Sequence, residues 1–258
     1  MPNDVADLKV QIPTNLRLLL LLEEVARAGV PVTPAGLVEA LGLPKPTVHR
    51  LFNTAEEEGF LQRHIDGRSY GPGPRLRRLS VNTLSSQRLR TLRLSILTEV
   101  VEQMDETCNI SVPDREHMVY LERIETKWPL RIQLPVGTRV PLHCTASGKM
   151  YLSSLNPRYL DRYLATHKLE QLTSKTITDV AALKAELSKT RKRGYSTDDE
   201  EFMYGMVAVA VAIVDDQGRL VSTLSTHSPL QRNNLVKITE NVGMLKSAAE
   251  KLSDLLLT

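Results

Sequence analysis

The stretch LPKPTVHRLFNTAEEEGFL, residues 43–61, decides the fold of the N-terminal third of the chain. It opens with Pro44 and Pro46 and continues with an apolar pattern of helical period. Proline costs little at this place, because the first four amides of a helix lack partners within the helix and proline fixes φ near its helical value. The apolar positions follow at i, i+3, i+4 and i+7, and they are Val48, Leu51, Phe52 and Ala55. The pattern predicts an amphipathic helix with this stripe facing a core.

The face opposite the stripe is polar and cationic, with Lys45, Thr47, His49, Arg50 and Asn53. Lys45 and Arg50 have the chemistry to bind guanine edges or phosphates. Thr47 and Asn53 can bond base edges or phosphate oxygens. His49 is either a phosphate contact or an ordinary exposed side chain.

Two helices are predicted before this one, over residues 15–28 and over a short segment that begins at Thr33 and ends at Leu41. After it, the residues FLQRHIDGRSYGPGP form two extended arms around Asp66-Gly67, a strong hairpin signal. Arg63 and Arg68 flank the tip of this hairpin and are candidates for phosphate or minor-groove contacts. Three helices followed by a basic hairpin are typical of a winged helix-turn-helix.

The net charge of +3 is unevenly distributed along the chain. Residues 1–95 contain 13 Lys and Arg against 9 Asp and Glu, whereas the remainder contains 20 against 21. Exposed cations are normal on any protein surface. These cations, however, coincide with the predicted recognition helix, hairpin and following segment, where a duplex would lie. Double-stranded DNA is therefore the predicted partner.

The remainder of the chain predicts a linker and an α+β domain. Residues 74–104 are rich in arginine and periodic in leucine, which indicates one or two linker helices. The runs NISV, MVYLERI, LRIQL and VAVAVAIVDDQGRLVSTLSTH predict strands, the last run forming two strands around a turn. Helices are predicted over residues 145–155, 157–165, 179–193 and 231–257. The predicted organisation is a DNA-binding domain over residues 1–74, linker helices over 75–106 and a ligand-binding domain over 107–258.

Several protein classes have no support in the sequence. The N-terminus lacks the features of a signal peptide, and the apolar run Leu18–Leu22 is too short to span a bilayer, so we expect a cytoplasmic protein with no membrane partner. Cys108 and Cys144 lack the spacing of a disulfide framework or a zinc site and are expected to be small buried hydrophobes. Neither a metal nor a cofactor is predicted.

An enzyme is the main alternative from another class. Gly148-Lys149 does not complete a phosphate-binding loop, because His143 replaces the upstream glycine and Met150 replaces the magnesium-binding Ser or Thr. The motifs G-x-S-x-G and H-E-x-x-H are absent, and the acidic run Asp198–Glu201 has no companion ligands for a hard cation. No catalytic residue is predicted. A ligand-independent architectural DNA-binding protein is the third alternative.

Motifs in both halves of the chain resemble those of IclR-type bacterial transcription regulators. In the first half they are LPKPTVHRLFNTAEEEGFL and DGRSYGPGPRL. In the second half they are VYLERIET, PVGTRVPLHCTASGKMYL, RGYSTDDEEF, GMVAVAVAI and GRLVSTLSTHSP. The resemblance extends from about residue 15 to the end. It implies a winged helix-turn-helix, a linker helix and a GAF-like effector domain, assembled as a homodimer or homotetramer.

The resemblance also implies an effector site. The matching positions are Ala146 and Ser147 beside the effector, the polar Asp198, Ser225 and His227, and the apolar Ile132, Val140, Met206 and Ala208. Thr145 is a predicted N-cap, so the amides of residues 146–148 would lie at a helix start that can receive a carboxylate. Ser225 and His227 share one strand face by period-two spacing. Without the resemblance, a capped helix, a loop carboxylate and a structural histidine are the simpler interpretations.

Two departures from the family pattern bear on specificity. Pro46 stands where the family usually has Ser, so one hydroxyl is missing from the predicted DNA-binding residues. Ala208 and His227 stand where relatives that bind small acids often have Cys and a second Ser. The large ring of His227, which can carry charge, favours a substituted aromatic acid or a related carboxylate over glyoxylate or pyruvate.

These observations predict a sequence-specific transcription regulator, a repressor controlled by a small organic acid. Dimeric helix-turn-helix proteins read half-sites about one helical turn, ~34 Å, or a multiple of it apart. We therefore expect a pseudo-palindromic operator.

Overall fold

The computed structural model describes residues 12–84 and 87–255. The chain divides into two compact units between residues 86 and 87. The linker predicted over residues 75–106 is thereby shared between the two units. Residues 1–11 of the predicted DNA-binding domain, residues 85–86 of the predicted linker and residues 256–258 of the predicted ligand-binding domain lie outside the described range.

The N-terminal unit consists of helices and a short hairpin in the predicted order. Its elements are α1 (Arg17–Ala28), a 3-10 turn (Pro34–Leu37), α2 (Val38–Leu41), α3 (Lys45–Glu57), β1 (Leu61–Arg63), β2 (Tyr70–Pro72) and α4 (Pro74–Leu84). Gly29 ends α1 in the left-handed region at φ +63°, where glycine carries no steric cost. Pro44 is the N-cap residue of α3 and Pro46 lies in its first turn, so both prolines are at the helix start, as the sequence predicts.

The apolar stripe of α3 forms the centre of this unit. Val48, Phe52 and Ala55 are fully buried, and Leu51 is half-buried. The ring of Tyr70, on the second strand of the hairpin, packs on Phe52 with 5.0 Å between centroids. The helix and the hairpin therefore share one core, which turns the opposite face of α3 outward.

The C-terminal unit is built on one antiparallel sheet. Its elements are α5 (Gln87–Met104), β3 (Thr107–Asp114), β4 (His117–Ile124), β5 (Arg139–Pro141), α6 (Ala146–Ser154), α7 (Pro157–Thr166), α8 (Val180–Arg193), β6 (Ser196–Asp199), β7 (Met206–Val214), β8 (Leu220–Pro229), α9 (Leu235–Glu240) and α10 (Val242–Asp254). The strand order is β5-β4-β3-β8-β7-β6.

The two faces of the sheet have different chemistry. One face is apolar and packs on α5 and α10, with Cys108, Val209 and Leu224 in the same buried cluster as Leu97 and Leu245. The other face lies beneath α6 and is lined by small and polar side chains. Because successive residues of a strand point to opposite faces, both sets come from the same strands.

Two predicted elements were wrong. Residues 130–134, the predicted strand LRIQL, pair with no strand, because β5 takes the free edge of β4 instead. The predicted final helix is two helices, which meet at Asn241. The side chain of Asn234 caps α9 by accepting from the Lys237 amide at 2.9 Å, so the helical segment starts later than predicted. Asparagine favours such caps because its side chain competes for backbone hydrogen bonds.

The edge strands β5 and β6 were not predicted, since three or four residues are too few to show alternation. Among residues 12–84 and 87–255, no helix has both the length and the apolar character required to cross a membrane.

Candidate functional site

The outward face of α3 is open to solvent. Lys45, Pro46, His49, Arg50 and Asn53 are exposed, and Thr47 is half-buried. No ion pair or side-chain hydrogen bond occupies Lys45 or Arg50 within the described residues. The helix therefore presents two cations that no side chain among residues 12–84 pairs with.

The hairpin tip is held by Asp66. Its Oδ1 accepts from the amides of Arg68 and Ser69, each at 2.9 Å, and its Oδ2 accepts from the Ser69 hydroxyl at 2.5 Å. These hydrogen bonds hold the pKa of Asp66 well below its usual range. The turn is thus stabilised by a permanent carboxylate, and Arg68 stays exposed beside it.

Arg63 joins the hairpin to the recognition helix. Its Nε and Nη2 donate to the two carboxylate oxygens of Glu56 at 2.9 and 2.6 Å, and its guanidinium lies 4.9 Å from the ring centroid of Tyr70. This bidentate contact lowers the pKa of Glu56. The Arg63 side chain remains 45% exposed, but its positive charge is paired with the Glu56 carboxylate. Sequence reasoning missed this pairing, because tertiary folding brings the two residues together.

In the C-terminal unit, strand register assembles most of the predicted polar positions. Ala208 lies opposite Asp198 on one side and His227 on the other. In the neighbouring row, Ser225 lies opposite Ala210 and Asn109. Directly opposed residues share a face, so the sheet brings Asp198, Ser225 and His227 together around small alanines.

The start of α6 closes over this face. Ala146 and Met150 pack in one cluster with Ala208 and Ala210, and the Ser196 hydroxyl donates to the Ala146 carbonyl. The fold therefore brings Ala146 and Ala208 together.

Thr145 caps α6 as predicted, but the cap engages the Gly148 amide, one of the three amides expected to donate to an anion. Its Oγ1 accepts from the Gly148 amide at 3.1 Å and donates to the Pro141 carbonyl at 2.6 Å. The expectation that all three amides of residues 146–148 face a ligand is therefore wrong. Only the amides of Ala146 and the buried Ser147 remain at the helix start.

The predicted apolar wall is not one cluster. Val140 is buried with Met118 and Tyr120 in a separate apolar cluster. Met206 is buried at the end of its strand, opposite Pro229. Ile132 is half-buried, and its carbonyl accepts from Arg123.

The polar face contains buried atoms that no described residue satisfies: Asp198 Oδ2, Ser225 Oγ and His227 Nδ1. A buried polar atom without a hydrogen-bond partner costs about 1–3 kcal/mol. Three such atoms on adjacent rows of one sheet face indicate a place that a polar ligand would stabilise.

Asp198 is fully buried, and its two oxygens differ. Oδ1 accepts from the amides of Glu201 and Phe202 at 2.8 and 3.3 Å, whereas Oδ2 has no partner. Burial raises the pKa of Asp198 to about 7, against the opposing effect of the Lys149 ammonium. Lys149 is itself 1% exposed and ion-pairs with Glu201. The carboxyl of Asp198 can therefore gain or lose a proton near neutral pH.

His227 does not carry the charge that the sequence allowed. Burial, together with the positive charge of Arg123, lowers the pKa of His227 to about 3. The ring is neutral near pH 7, so the charge that the sequence left possible is absent. It instead offers one hydrogen-bond donor and one acceptor.

Sequence reasoning missed three residues of this face: Arg123, Asn109 and Tyr120. Arg123 donates to the Asn109 side-chain oxygen at 2.8 Å. Asn109 Nδ2 and the Tyr120 hydroxyl each lie 3.4 Å from His227 Nε2. The alternation of Cys108, Asn109 and Ile110 could have identified Asn109, because its period places a polar residue on the face opposite the core.

The carboxylates of the acidic run Asp198–Glu201 are paired with lysines or bonded to backbone amides. Asp199 and Glu200 ion-pair with Lys175 at 3.3 and 2.7 Å, and Glu201 pairs with Lys149. Within residues 12–84 and 87–255, no three His, Cys, Asp or Glu side chains are grouped so that they could hold a metal ion.

Both cysteines are free and buried, as predicted. Burial raises the pKa of each thiol to about 12, so neither is a thiolate near neutral pH. The imidazole beside Cys144, on His143, contacts the Glu170 carbonyl through its Nε2 at 2.9 Å.

Comparison with known proteins agrees with this geometry in both units. The family profile described as "IclR helix-turn-helix domain" matches residues 16–64, and the one described as "Bacterial transcriptional regulator IclR C-terminal" matches residues 81–254.

Three known proteins illustrate the similarity. The probable transcriptional regulator SauR of Cupriavidus necator is 36% identical over 237 residues, covering 92% of this chain and 94% of that protein. The transcriptional repressor IclR of Escherichia coli is 29% identical over 245 residues, covering 94% and 89%. The crystal structure of an IclR homologue from Microbacterium hydrocarbonoxydans complexed with 4-hydroxybenzoate has a TM-score of 0.60 and 26% identity, covering 93% and 98%. The winged helix-turn-helix, the α/β domain and these similarities show that the chain belongs to the IclR family of bacterial transcription regulators.

Proposed function

We propose that this protein is a sequence-specific transcriptional repressor whose DNA affinity is controlled by a small organic carboxylate bound in the C-terminal unit. The observation that carries the effector half is the set of buried, unpartnered polar atoms on Asp198, Ser225 and His227. The repressor role is supported by relatives with that name, including the E. coli repressor. The protein acts in the cytoplasm as a homodimer or homotetramer and is not an enzyme.

The DNA half rests on the exposed face of α3. Lys45, Arg50 and Asn53 would contact the duplex, with Pro46, Thr47 and His49 beside them and Arg63 and Arg68 on the hairpin. Lys and Arg on such a face neutralise phosphates or read guanine edges. A dimer would place two such faces on a pseudo-palindromic operator.

The effector half rests on complementarity to an acid. The amides at the start of α6 and the hydroxyl of Ser225 can donate to a carboxylate. The proton that Asp198 binds near neutral pH lets this carboxyl lie beside an anionic ligand without repulsion. The 4-hydroxybenzoate complex of the Microbacterium homologue supports an aromatic carboxylate as the ligand class.

Coupling between the two sites follows from linkage. An effector that prefers one arrangement of the DNA-binding units changes operator affinity, and DNA changes effector affinity by the same factor, typically ~5 to 150-fold.

The test is binding of the full chain to the DNA upstream of its own coding region, against scrambled DNA, over a salt series. Glyoxylate, pyruvate, benzoate and 4-hydroxybenzoate form the panel of acids. We expect a preference of ~1,000-fold or more for the upstream DNA, with a steep salt slope and release by one of the acids. Equal binding to both DNAs that no acid changes would instead identify an architectural DNA-binding protein.

Two substitutions make the test specific. Arg50→Ala should weaken operator binding, since it removes a free cation from α3. Lys168→Ala, an exposed cation of the C-terminal unit, is the matched control and should leave it unchanged. Equal effects of the two substitutions would contradict the assignment of α3 as the DNA-contacting helix.

A further inference from the structure

The orientation of the Asn109 amide is determined by its neighbour. Arg123 Nη1 lies 2.8 Å from Asn109 Oδ1. A guanidinium can only donate hydrogen bonds, so the oxygen of the amide must face Arg123 and the NH2 group must face the other way. That NH2 group lies 3.4 Å from His227 Nε2.

Arg123 is itself immobilised. Its side chain is only 4% exposed. Its Nε donates to Glu125 Oε1 at 3.1 Å, and its Nη2 donates to the Ile132 carbonyl. With the bond to Asn109, all three guanidinium nitrogens are engaged, so the guanidinium cannot turn away from the amide.

A second donor converges on the same ring nitrogen. The Tyr120 hydroxyl lies 3.4 Å from His227 Nε2. Burial raises the pKa of Tyr120, so this hydroxyl keeps its proton and can donate. With donors from Asn109 and Tyr120, Nε2 must act as the acceptor. A neutral imidazole has one proton, which then resides on Nδ1.

The Nδ1 atom is buried and has no hydrogen-bond partner among the described residues. It therefore presents an unsatisfied donor on the face that also holds Ser225 Oγ and Asp198 Oδ2. An acceptor atom from a ligand would satisfy it.

We propose that Arg123 and Asn109 are positioning residues that hold His227 as its Nδ1–H tautomer, so that the ring donates a hydrogen bond to an oxygen of the effector. The inference rests on the proposed effector site. It makes His227 a specificity-determining donor rather than a cation, and it assigns the ligand an acceptor oxygen at this point.

The test is nitrogen NMR of the full chain labelled with nitrogen-15 histidine. The sequence has six histidines, and the signals of His227 are those lost in His227→Ser. We expect a protonated Nδ1 and an unprotonated Nε2 in the free protein. We also expect at least one of benzoate, 4-hydroxybenzoate, glyoxylate and pyruvate to shift the Nδ1–H signal.

The matched pair of variants is Asn109→Asp and Asn15→Asp. The first replaces the NH2 donor by an oxygen that accepts, and should transfer the ring proton to Nε2. The second makes the same substitution at an exposed residue before α1 and should leave the His227 signals unchanged. If Asn109→Asp fails to fold, Tyr120→Phe replaces it, and the tautomer should stay Nδ1–H because Asn109 still donates.

A proton on Nε2 in the wild type would overturn the proposal, as would an Asn109→Asp variant that folds and retains the Nδ1–H tautomer. An Nδ1–H signal that none of the four acids shifts would overturn its ligand half. Operator binding plays no part in this experiment, so its result is separate from the success or failure of the DNA half of the proposed function.

Discussion

Asp198 and His227 lie on either side of Ala208 in the sheet, each as its direct register partner. Both are buried, and each has one polar atom without a partner. Burial disfavours the charged form of each group, so it shifts the two pKa values in opposite directions. The pKa of Asp198 rises to about 7, and that of His227 falls to about 3.

These shifts predict opposite pH dependences of stability. Unfolded Asp198 releases its proton near pH 3.8 but the folded carboxyl only near 7, so its contribution to stability falls as pH rises across that interval. Unfolded His227 gains a proton near pH 6.5 but the folded ring only near 3, so its contribution falls as pH decreases from 6.5. Relative to wild type, Asp198→Asn should gain stability as pH rises from 4 to 7. Relative to wild type, His227→Gln should gain as pH falls from 6.5 to 4.

Urea unfolding at each pH measures both effects. Trp128 is the one tryptophan of the sequence, and its fluorescence reports on the C-terminal unit. Asp216→Asn, at an exposed aspartate, is the control for the substitution itself. If the free energy of unfolding of the two variants follows the same pH dependence as that of the wild type, Asp198 and His227 are not the source of that dependence.

The buried ion pair of Lys149 predicts a large loss of stability. Lys149→Met leaves Glu201 as an uncompensated carboxylate beside Asp198, which should cost about 3–5 kcal/mol. The double variant Lys149→Met/Glu201→Gln should recover part of this loss. Lys184→Met, which breaks an exposed pair with Asp161, should cost at most about 1 kcal/mol. Equal losses for the two single variants, measured by urea unfolding, would contradict the buried pair.

Gly148 predicts a steric effect at the start of α6. A Cβ added there would lie 2.4 Å from the Leu142 Cα, so the helix or the chain before it must move. We expect Gly148→Ala to cost about 1–3 kcal/mol of stability and to weaken effector binding. Gly243→Ala, in α10 with open space around its Cβ, should instead stabilise by up to about 1 kcal/mol. Thermal unfolding should move in opposite directions for the two variants.

The Glu56 carboxylate predicts an electrostatic effect on DNA binding. Glu56→Gln removes the negative charge that pairs with Arg63. DNA affinity should therefore rise, and the slope of log affinity against log salt concentration should steepen by up to about 1. Stability should change by about 1 kcal/mol or less, because the pair is exposed. Glu23→Gln makes the same charge change on the exposed surface of α1. Fluorescence anisotropy on operator DNA over a salt series should show tighter binding for Glu56→Gln than for this control, and equal affinities would count against a DNA role for Arg63.

Local patterns in the sequence determined most of the secondary structure of this protein. The prolines at the start of α3, its apolar stripe, Asp66-Gly67 at the hairpin tip and the N-cap at Thr145 each act through neighbours a few residues away. Such local interactions can be identified from spacing alone, because helix and strand periods fix which residues share a face. The resemblance to the IclR family added a predicted effector region in the C-terminal domain.

Only the tertiary structure decided the chemistry of that region. The neutral His227 depends on burial and on Arg123, and the proton of Asp198 depends on desolvation opposed by Lys149. Residues far apart along the chain, such as Asn109 and His227, meet only through strand register. A pKa or a tautomer depends on the charges and solvent around the group in three dimensions, so sequence spacing alone does not determine it.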